Sequence, residues 1–344
     1  MYSLGRYRYA AFVSGARTCA HRASLILSVA ILGCSTLAIG ACSGAISGAA
    51  AGAPADPPLQ SGFTFTTLDD PHSTTFTRLL GLNDVGKLCG YFGSGVPSDP
   101  STGFVVYSGF QAQSFKNEKY PGAGDTVVTS VSNAKTIAGW YVSPQNPSWI
   151  FGFTERHGVW NSYRDVQLRK DHTSNLTKLL GLSDAGLAVG YYTDDSGVNH
   201  GFELNTVTDK FHGILPPSAT SSVASGINGK GDVVGYLTLA NGSVKGYLFK
   251  GFNFTEFGYP GAVSTQAVAL TWNDDIVGSY VDGSGETHGF VLSKPLTSQQ
   301  WQSVDEQNGL GSTVITGVNN HHVIVGYYNA ADGSTNGFVG TPKT

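Results

Sequence analysis

With 46 glycines among 344 residues, 11% aromatic side chains and only 13% charged ones, the chain is rich in turns and rings and carries about half the usual share of charge. That composition excludes a helical bundle, a coiled coil and a disordered charged tail, and it suits an all-β protein with an aromatic core. A balance of 20 basic against 24 acidic residues gives no electrostatic footing for nucleic acid.

Residues 1–60 differ from the rest. Arg6, Arg8, Arg17 and Arg22 precede an apolar run from Leu25 to Ile39, and the first acid is Asp56. This is the order of a secretory signal. The run ends in Ile39-Gly-Ala-Cys42, which resembles a bacterial lipobox, where the chain is cut before a Cys whose thiol carries diacylglycerol. Ile31-Leu-Gly-Cys34 is a second match, with a bulky Leu ahead of the small residue. An ordinary cleavage site beside an incidental Cys is the other reading. A transmembrane anchor is disfavoured, because Ser, Gly, Cys and Thr interrupt the run and no charged flank follows. The expectation is a lipoprotein-type signal over 1–41, lipidation at Cys42 and a Gly/Ala/Pro-rich tether over 42–60. Removing 1–41 takes the net charge from −4 to −8 and leaves Cys42 and Cys89. With Cys42 acylated, Cys89 has no disulfide partner, so stability must come from a large core. Ser43 after the Cys lacks the Asp of an inner-membrane retention signal, which favours the outer membrane, with plain secretion as the alternative.

From residue 61 the chain repeats itself. The clearest copies read Gly-Leu-Asn-Asp-Val-Gly-Lys-Leu-Cys-Gly-Tyr (81–91), Gly-Leu-Ser-Asp-Ala-Gly-Leu-Ala-Val-Gly-Tyr (181–191), Gly-Ile-Asn-Gly-Lys-Gly-Asp-Val-Val-Gly-Tyr (226–236) and Gly-Val-Asn-Asn-His-His-Val-Ile-Val-Gly-Tyr (317–327). Shorter-turned copies end at Trp140 and Ser279. Each copy is followed by a Gly-aromatic pair, at Gly103, Gly152, Gly201, Gly246, Gly289 and Gly337, spaced 43 to 49 residues apart. An aromatic six residues before a Pro recurs from Phe65 to Pro71, Phe115 to Pro121, Phe211 to Pro217 and Phe254 to Pro260, with Tyr163 and Trp301 in that place where the Pro is missing. In the first copy the four predicted strands run 75–82, 87–92, 103–107 and 114–119, separated by polar and Gly turns. Gly inside the Val-Gly-Tyr strand is costly by propensity, which points to a bulge or a close approach there.

Four antiparallel strands in about 40–50 residues match a β-propeller blade. Stacking blades around an axis buries the two apolar faces that a lone sheet leaves open. The predicted fold is therefore a six-bladed β-propeller over 61–342, with an open β-solenoid as its competitor. The last copy ends at its third strand, while 62–68 carries the fourth-strand pattern ahead of the first copy. The N-terminal strand is expected to complete the sixth blade. The repeat resembles the bacterial extracellular HAF repeat, named for a His-Ala-Phe triplet. His200-Gly-Phe202 and His288-Gly-Phe290 come nearest, with Gly for the family's Ala. The resemblance covers 61–342 and implies export and a propeller-like fold, and it brings no catalytic motif.

Chemistry-bearing patterns are sparse. His-Glu-x-x-His, a Walker loop, a calcium ladder and the sialidase-type Asp box are all missing. Gly181-Leu-Ser183-Asp-Ala185 mimics a nucleophile elbow, but Ser183 stands where other copies have Asn, in a hairpin turn. His200, His288, His321 and His322 read as strand-opening or turn residues without a recurring third ligand, and Cys89 reads as core. No cofactor, metal or catalytic residue is therefore expected. Polar clustering is strongest on one face, where fourth-to-first connections and second-to-third hairpins should meet. It comprises Asp69, Asp70, Tyr120, Asp125, Asp171, Asp194, Asp195, Tyr259, Asp282 and Glu286, a rim that could hold a sugar, a cation or a basic partner. The functional expectation is a monomeric, membrane-tethered module that binds a glycan or protein at the cell envelope. The rival is a glycan-active lyase or hydrolase with its site at the axial mouth, for which Arg78 and Lys178 occupy equivalent places but no carboxylate pair accompanies them.

Overall fold

The repeating unit folds into strands at nearly every predicted position. A computed structural model describes residues 62–73, 75–96, 99–107, 114–164, 175–293 and 295–343. The signal segment, Cys42, the tether and Asp171 lie outside the described residues. Among the described residues all 24 elements are strands. The N-terminal β1 (Phe63–Thr67) stands first. The first repeat follows with β2 (Phe76–Leu82), β3 (Leu88–Gly93), β4 (Thr102–Val106) and β5 (Phe115–Glu118). Next come β6 (Thr126–Val131), β7 (Ile137–Val142), β8 (Ile150–Arg156) and β9 (Val159–Tyr163), then β10 (Leu176–Leu182), β11 (Leu187–Thr193), β12 (Asn199–Asn205) and β13 (Lys210–Ile214). The later repeats supply β14 (Ala219–Ile227), β15 (Val233–Leu239), β16 (Val244–Lys250) and β17 (Asn253–Phe257), then β18 (Ser264–Leu270), β19 (Ile276–Val281), β20 (Thr287–Ser293) and β21 (Gln300–Val304). The last are β22 (Val314–Val318), β23 (Ile324–Asn329) and β24 (Thr335–Pro342).

Within each repeat consecutive strands pair antiparallel. The sheets themselves are larger than the sequence suggests. A single parallel pair joins the third strand of one repeat to the first strand of the next, at Phe76–Thr335, Leu176–Ile150 and Val244–Ser264. The described residues therefore form three eight-stranded sheets rather than six separate four-stranded ones. A period of one repeat in the sequence becomes a period of two in the hydrogen bonding. The first strands β2, β6, β10, β14, β18 and β22 each touch the next, and β22 touches β2, so they close a circuit. β1 pairs antiparallel with β24, from Phe63 opposite Pro342 to Thr67 opposite Phe338, as the N-terminal pattern predicts.

Two glycine positions carry this packing. In the second strand, a Cβ on Gly90, Gly139, Gly190, Gly235, Gly278 or Gly326 would lie 1.9–2.0 Å from a carbonyl oxygen of the first strand. Only Gly admits that approach, and the bulge it accompanies sits on the partner strand, between Leu79 and Gly81 in the first repeat. In the Gly-aromatic pair, the missing Cβ is a notch for the next repeat. Val128 points into Gly103, Leu179 into Gly152, Ile315 into Gly289 and Leu79 into Gly337, with contacts of 2.6–2.9 Å to a Cβ built there. The aromatic of each pair (Phe104, Phe153, Phe202, Tyr247, Phe290, Phe338) is fully buried, each worth about 1.5–3 kcal/mol in transfer. Cys89 is also fully enclosed, and burial drives its thiol pKa upward.

Hydroxyls reinforce the two-repeat period. Thr129, Ser225 and Thr316 each donate from Oγ to a carbonyl of the following repeat, at Leu179 (2.9 Å), Ala267 (2.6 Å) and Leu79 (2.7 Å). These are the same three repeat pairs that share a sheet. A variant lacking residues 61–69 strips β1 from β24 and reopens the edge at the seam. Its thermal unfolding midpoint should fall for the whole domain in one transition, and an unchanged melting curve would contradict the seam.

Candidate functional site

The face expected to hold the acidic rim does bring its loops together, chiefly to hold the backbone. Asp69 Oδ1 accepts the Gly337 N–H at 2.9 Å, and burial raises its pKa against that bond. Asp70 is buried, with Oδ1 accepting the His72 N–H at 2.8 Å. Asp125 Oδ1 accepts the Ser101 N–H, tying two connections. Asp194 Oδ1 closes its turn on the Ser196 and Val198 N–H groups, and Asp195 is exposed. Tyr120 and Tyr259 lie flat on Tyr141 and Tyr280, ring centroids 3.6 and 3.7 Å apart, edge-on to Trp160 and Trp301. Both rings are half-buried in these stacks.

One part of the rim converges. Asp282 and Glu286, on the turn before β20, and His288, within β20, each place a ligand atom within 4.8 Å of the others. Asp282 Oδ1 is occupied by Ser284 and by the Glu286 N–H, and the Ser284 hydroxyl leads the contacts that hold its pKa down to about 2. His288 Nδ1 meets Asp305 Oδ1 at 2.8 Å, which leaves Nε2 facing Asp282 Oδ2 at 3.5 Å. The Asp305 hydrogen bond raises the His288 pKa against burial. The donor set of one imidazole nitrogen and two carboxylates could hold a divalent cation. At the corresponding place, His200 within β12 instead bonds Asp194 of the preceding turn directly through Nε2 at 2.9 Å, and Val198 replaces the Glu.

The opposite end holds the more concave arrangement. Six turns between first and second strands surround a cavity of about 240 Å³. The first residue of each turn binds its own backbone, as Asn83 Oδ1 does for the Lys87 N–H (2.8 Å) and Ser183 Oγ for the Leu187 N–H (3.2 Å). This is the local capping that makes Asn and Ser good turn residues. Three of these residues also reach across repeats: Asn83 Nδ2 donates to Ser132 O, Asn228 Nδ2 to Thr271 O and Asn319 Nδ2 to Asn83 O, at 3.1–3.2 Å.

The second residues form a bonded arc. The Trp272 N–H donates to Asn320 Oδ1. Asn320 donates through N and Nδ2 to Asp84, at 2.8 and 2.9 Å. Asn133 Nδ2 bridges Asp84 (3.0 Å) and Asp184 (2.9 Å), and its N–H also reaches Asp184 Oδ1. Burial would raise the Asp84 pKa, but the Asn320 N–H and the two Asn amides hold it below the ordinary carboxylate range. The arc stops at Gly229, over which the Trp272 ring lies. Trp272 is 49% exposed, with Lys230 Nζ 5.1 Å from its ring. A second cavity of about 210 Å³ opens beside Asp184, lined by Arg156, Asn161, Tyr163 and Thr206. The sequence contains this site in the Asn-Asp, Ser-Asp and Asn-Asn turn pairs, which read as turn chemistry alone. Nothing in one repeat signals that these pairs bond to one another around the circuit.

The mouth thus offers fixed carboxylate and amide groups beside an exposed indole face, a combination suited to a hydroxyl-rich ligand with an apolar side. Its carboxylates are committed to Asn partners. The described part of the chain has the fold of known propellers. It superposes on a mutant of the Aleuria aurantia lectin in complex with Fucα1-6GlcNAc with a TM-score of 0.50 at 11% identity, covering 81% of this chain and 98% of that one. Another structure of that lectin, described as a six-bladed β-propeller with a novel fucose recognition mode, matches at 0.49, with 11% identity and the same coverage. TolB from Acinetobacter baumannii matches at 0.47 and 12% identity, over 74% of this chain and 64% of TolB. No protein-family model and no curated protein matches the chain.

Because Asp305 raises the His288 pKa, that pair stabilises the fold below the ordinary His pKa of 6.5, and the contribution is lost as pH rises through the raised value. In Asp305→Asn the His288 midpoint, read from imidazole NMR shifts, should fall. An unchanged midpoint would show that Asp305 does not hold the ring.

Proposed function

We propose that the protein is a six-bladed β-propeller of four-stranded blades, exported and lipid-anchored at a bacterial cell envelope, that binds carbohydrate through its turn-lined axial mouth. The observation that carries the reading is the arc from Trp272 through Asn320, Asp84 and Asn133 to Asp184. Sugars are recognised by bidentate acceptors and amides on their hydroxyls and by an aromatic ring against their C–H face. The Asp and Asn groups are pre-oriented here by bonds to one another, which spares a ligand the entropy of ordering them. The lectin-like fold supports the class, and the likeness of the repeat to HAF repeats supports placement outside the cytoplasm.

The rival enzymatic reading is not favoured. Asp84 and Asp184 each accept two or more hydrogen bonds from Asn groups. A general acid needs a raised pKa, and the Asp84 pKa is lowered. The acidic face at the other end is proposed as a secondary contact for a cation or basic partner, with Asp282, Glu286 and His288 its best-formed group. The chain acts as a monomer in this reading, tethered through Cys42.

A glycan array probed with the full-length chain should show retention on a defined saccharide class. Trp272→Ala and Asp184→Ala should each weaken it about tenfold or more, while Asp194→Asn leaves it unchanged. Retention insensitive to both mouth substitutions would remove the mouth as the site. Mass spectrometry of the N-terminus of the membrane-associated form should find a diacylglyceryl Cys42, and an unmodified N-terminus would remove the anchor.

A further inference from the structure

The inner strands carry one register position whose chemistry alternates around the circuit. Arg78, Val127, Lys178, Val223, Gln266 and Val314 pair with Tyr91, Trp140, Tyr191, Tyr236, Ser279 and Tyr327 of the second strands. Polar side chains occupy every second repeat, and Val occupies the others. The proposed carbohydrate site uses none of them.

Lys178 is only 2% exposed. Its Nζ lies over the Trp140 ring at 4.2 Å and 6.0 Å from the Tyr191 ring centroid. Among the described residues it has no ion-pair partner, and the carboxylate acting on it is the more distant Asp125. Arg78 is half-buried among rings of its own. Its Nη1 donates to Tyr91 Oη at 2.9 Å, and its guanidinium sits 4.8 Å from the Tyr327 ring centroid. Three buried atoms of this level have no hydrogen-bond partner among the described residues: Arg78 Nε, Trp140 Nε1 and Gln266 Oε1. Trp140 is 3% exposed.

Folded chains seldom leave buried polar groups unanswered, and a buried charge without a counter-ion is costlier still. Burial lowers the Lys178 pKa to about 8, with Asp125 opposing, so the side chain remains protonated at neutral pH. Arg78 and Lys178 are both cationic groups, and among the described residues Asp125 is the one carboxylate acting on the level, so positive charge exceeds negative there. The unanswered buried donors are a guanidinium N–H and an indole N–H, beside an ammonium that has no ion pair among the described residues, against a single amide oxygen. What they lack is an acceptor carrying negative charge.

We infer that the inner ring is a second ligand site, taking a small oxyanion (a carboxylate, or a phosphate or sulfate) held by Lys178 and Trp140 with Arg78 as the further cation. This site does not depend on the carbohydrate reading, because its residues and those of the mouth do not overlap.

Isothermal titration of the full-length chain at pH 7 with sodium acetate, sodium phosphate and sodium sulfate, each against sodium chloride at equal ionic strength, tests the inference. At least one oxyanion should bind saturably at one per chain, with a change in tryptophan fluorescence. Response to acetate alone assigns a carboxylate ligand, and response to phosphate or sulfate assigns a tetrahedral one. Lys178→Met should weaken binding tenfold or more, while Trp272→Ala leaves it unchanged. Absence of saturable heat from all three salts, or unaltered affinity in a folded Lys178→Met, overturns the site. Should Lys178→Met fail to fold by circular dichroism, Trp140→Phe serves instead, since it keeps a ring and removes the indole N–H. It should weaken binding severalfold, and unaltered affinity overturns the site equally.

Discussion

No repeat of this chain can bury itself. A four-stranded sheet of the kind built by β2 to β5 has two apolar faces, and each needs a neighbour to cover it. The chain meets this requirement with a knob and a notch. Leu79, Val128, Leu179 and Ile315 enter the spaces left by Gly337, Gly103, Gly152 and Gly289 of the preceding repeat. Leu79 on Gly337 joins the first repeat to the last, so the same contact that builds the array also closes it. Pairing of β1 with β24 along five residues then secures the seam.

Closure is what makes a site possible. The six first-to-second turns lie far apart in sequence, yet the circuit of inner strands gathers them at one end. Asn320 bonds Asp84 across 236 positions of chain and Asn133 bonds Asp184 across 51. The polar arc at the mouth is therefore a product of the ring rather than of any local motif. The same holds for the level of Arg78, Lys178 and Gln266, which belongs to three repeats and one ring.

Much of the fold was legible from the repeat itself. The Gly-Tyr strand, the Gly-aromatic pair and the displaced N-terminal strand gave strand positions within a residue or two, as with 75–82 against Phe76–Leu82. Cys89 reads as core and is enclosed. What the repeat concealed was the two-repeat period. That period is made by the parallel pairs between repeats and reinforced by Thr129, Ser225 and Thr316, which alternate with Leu80, Leu180 and Val268, a difference that looks like ordinary variation until the hydroxyls are seen to cross between repeats. The acids of the rim show the converse. Asp194 and Asp282 stand out in the sequence because turns favour Asp, and much of their bonding capacity is spent on those turns. The mouth residues are no more conspicuous in sequence, since their distinguishing property is their mutual bonding.

Native-state hydrogen exchange across β2, β6, β10, β14, β18 and β22 tests mutual burial in a closed ring most directly. A closed ring opens as one unit, so the protected amides of all six inner strands should share one opening free energy and one denaturant dependence. A gradient of protection, with β22 and β2 opening first and the middle strands last, would mark an open stack and contradict the account.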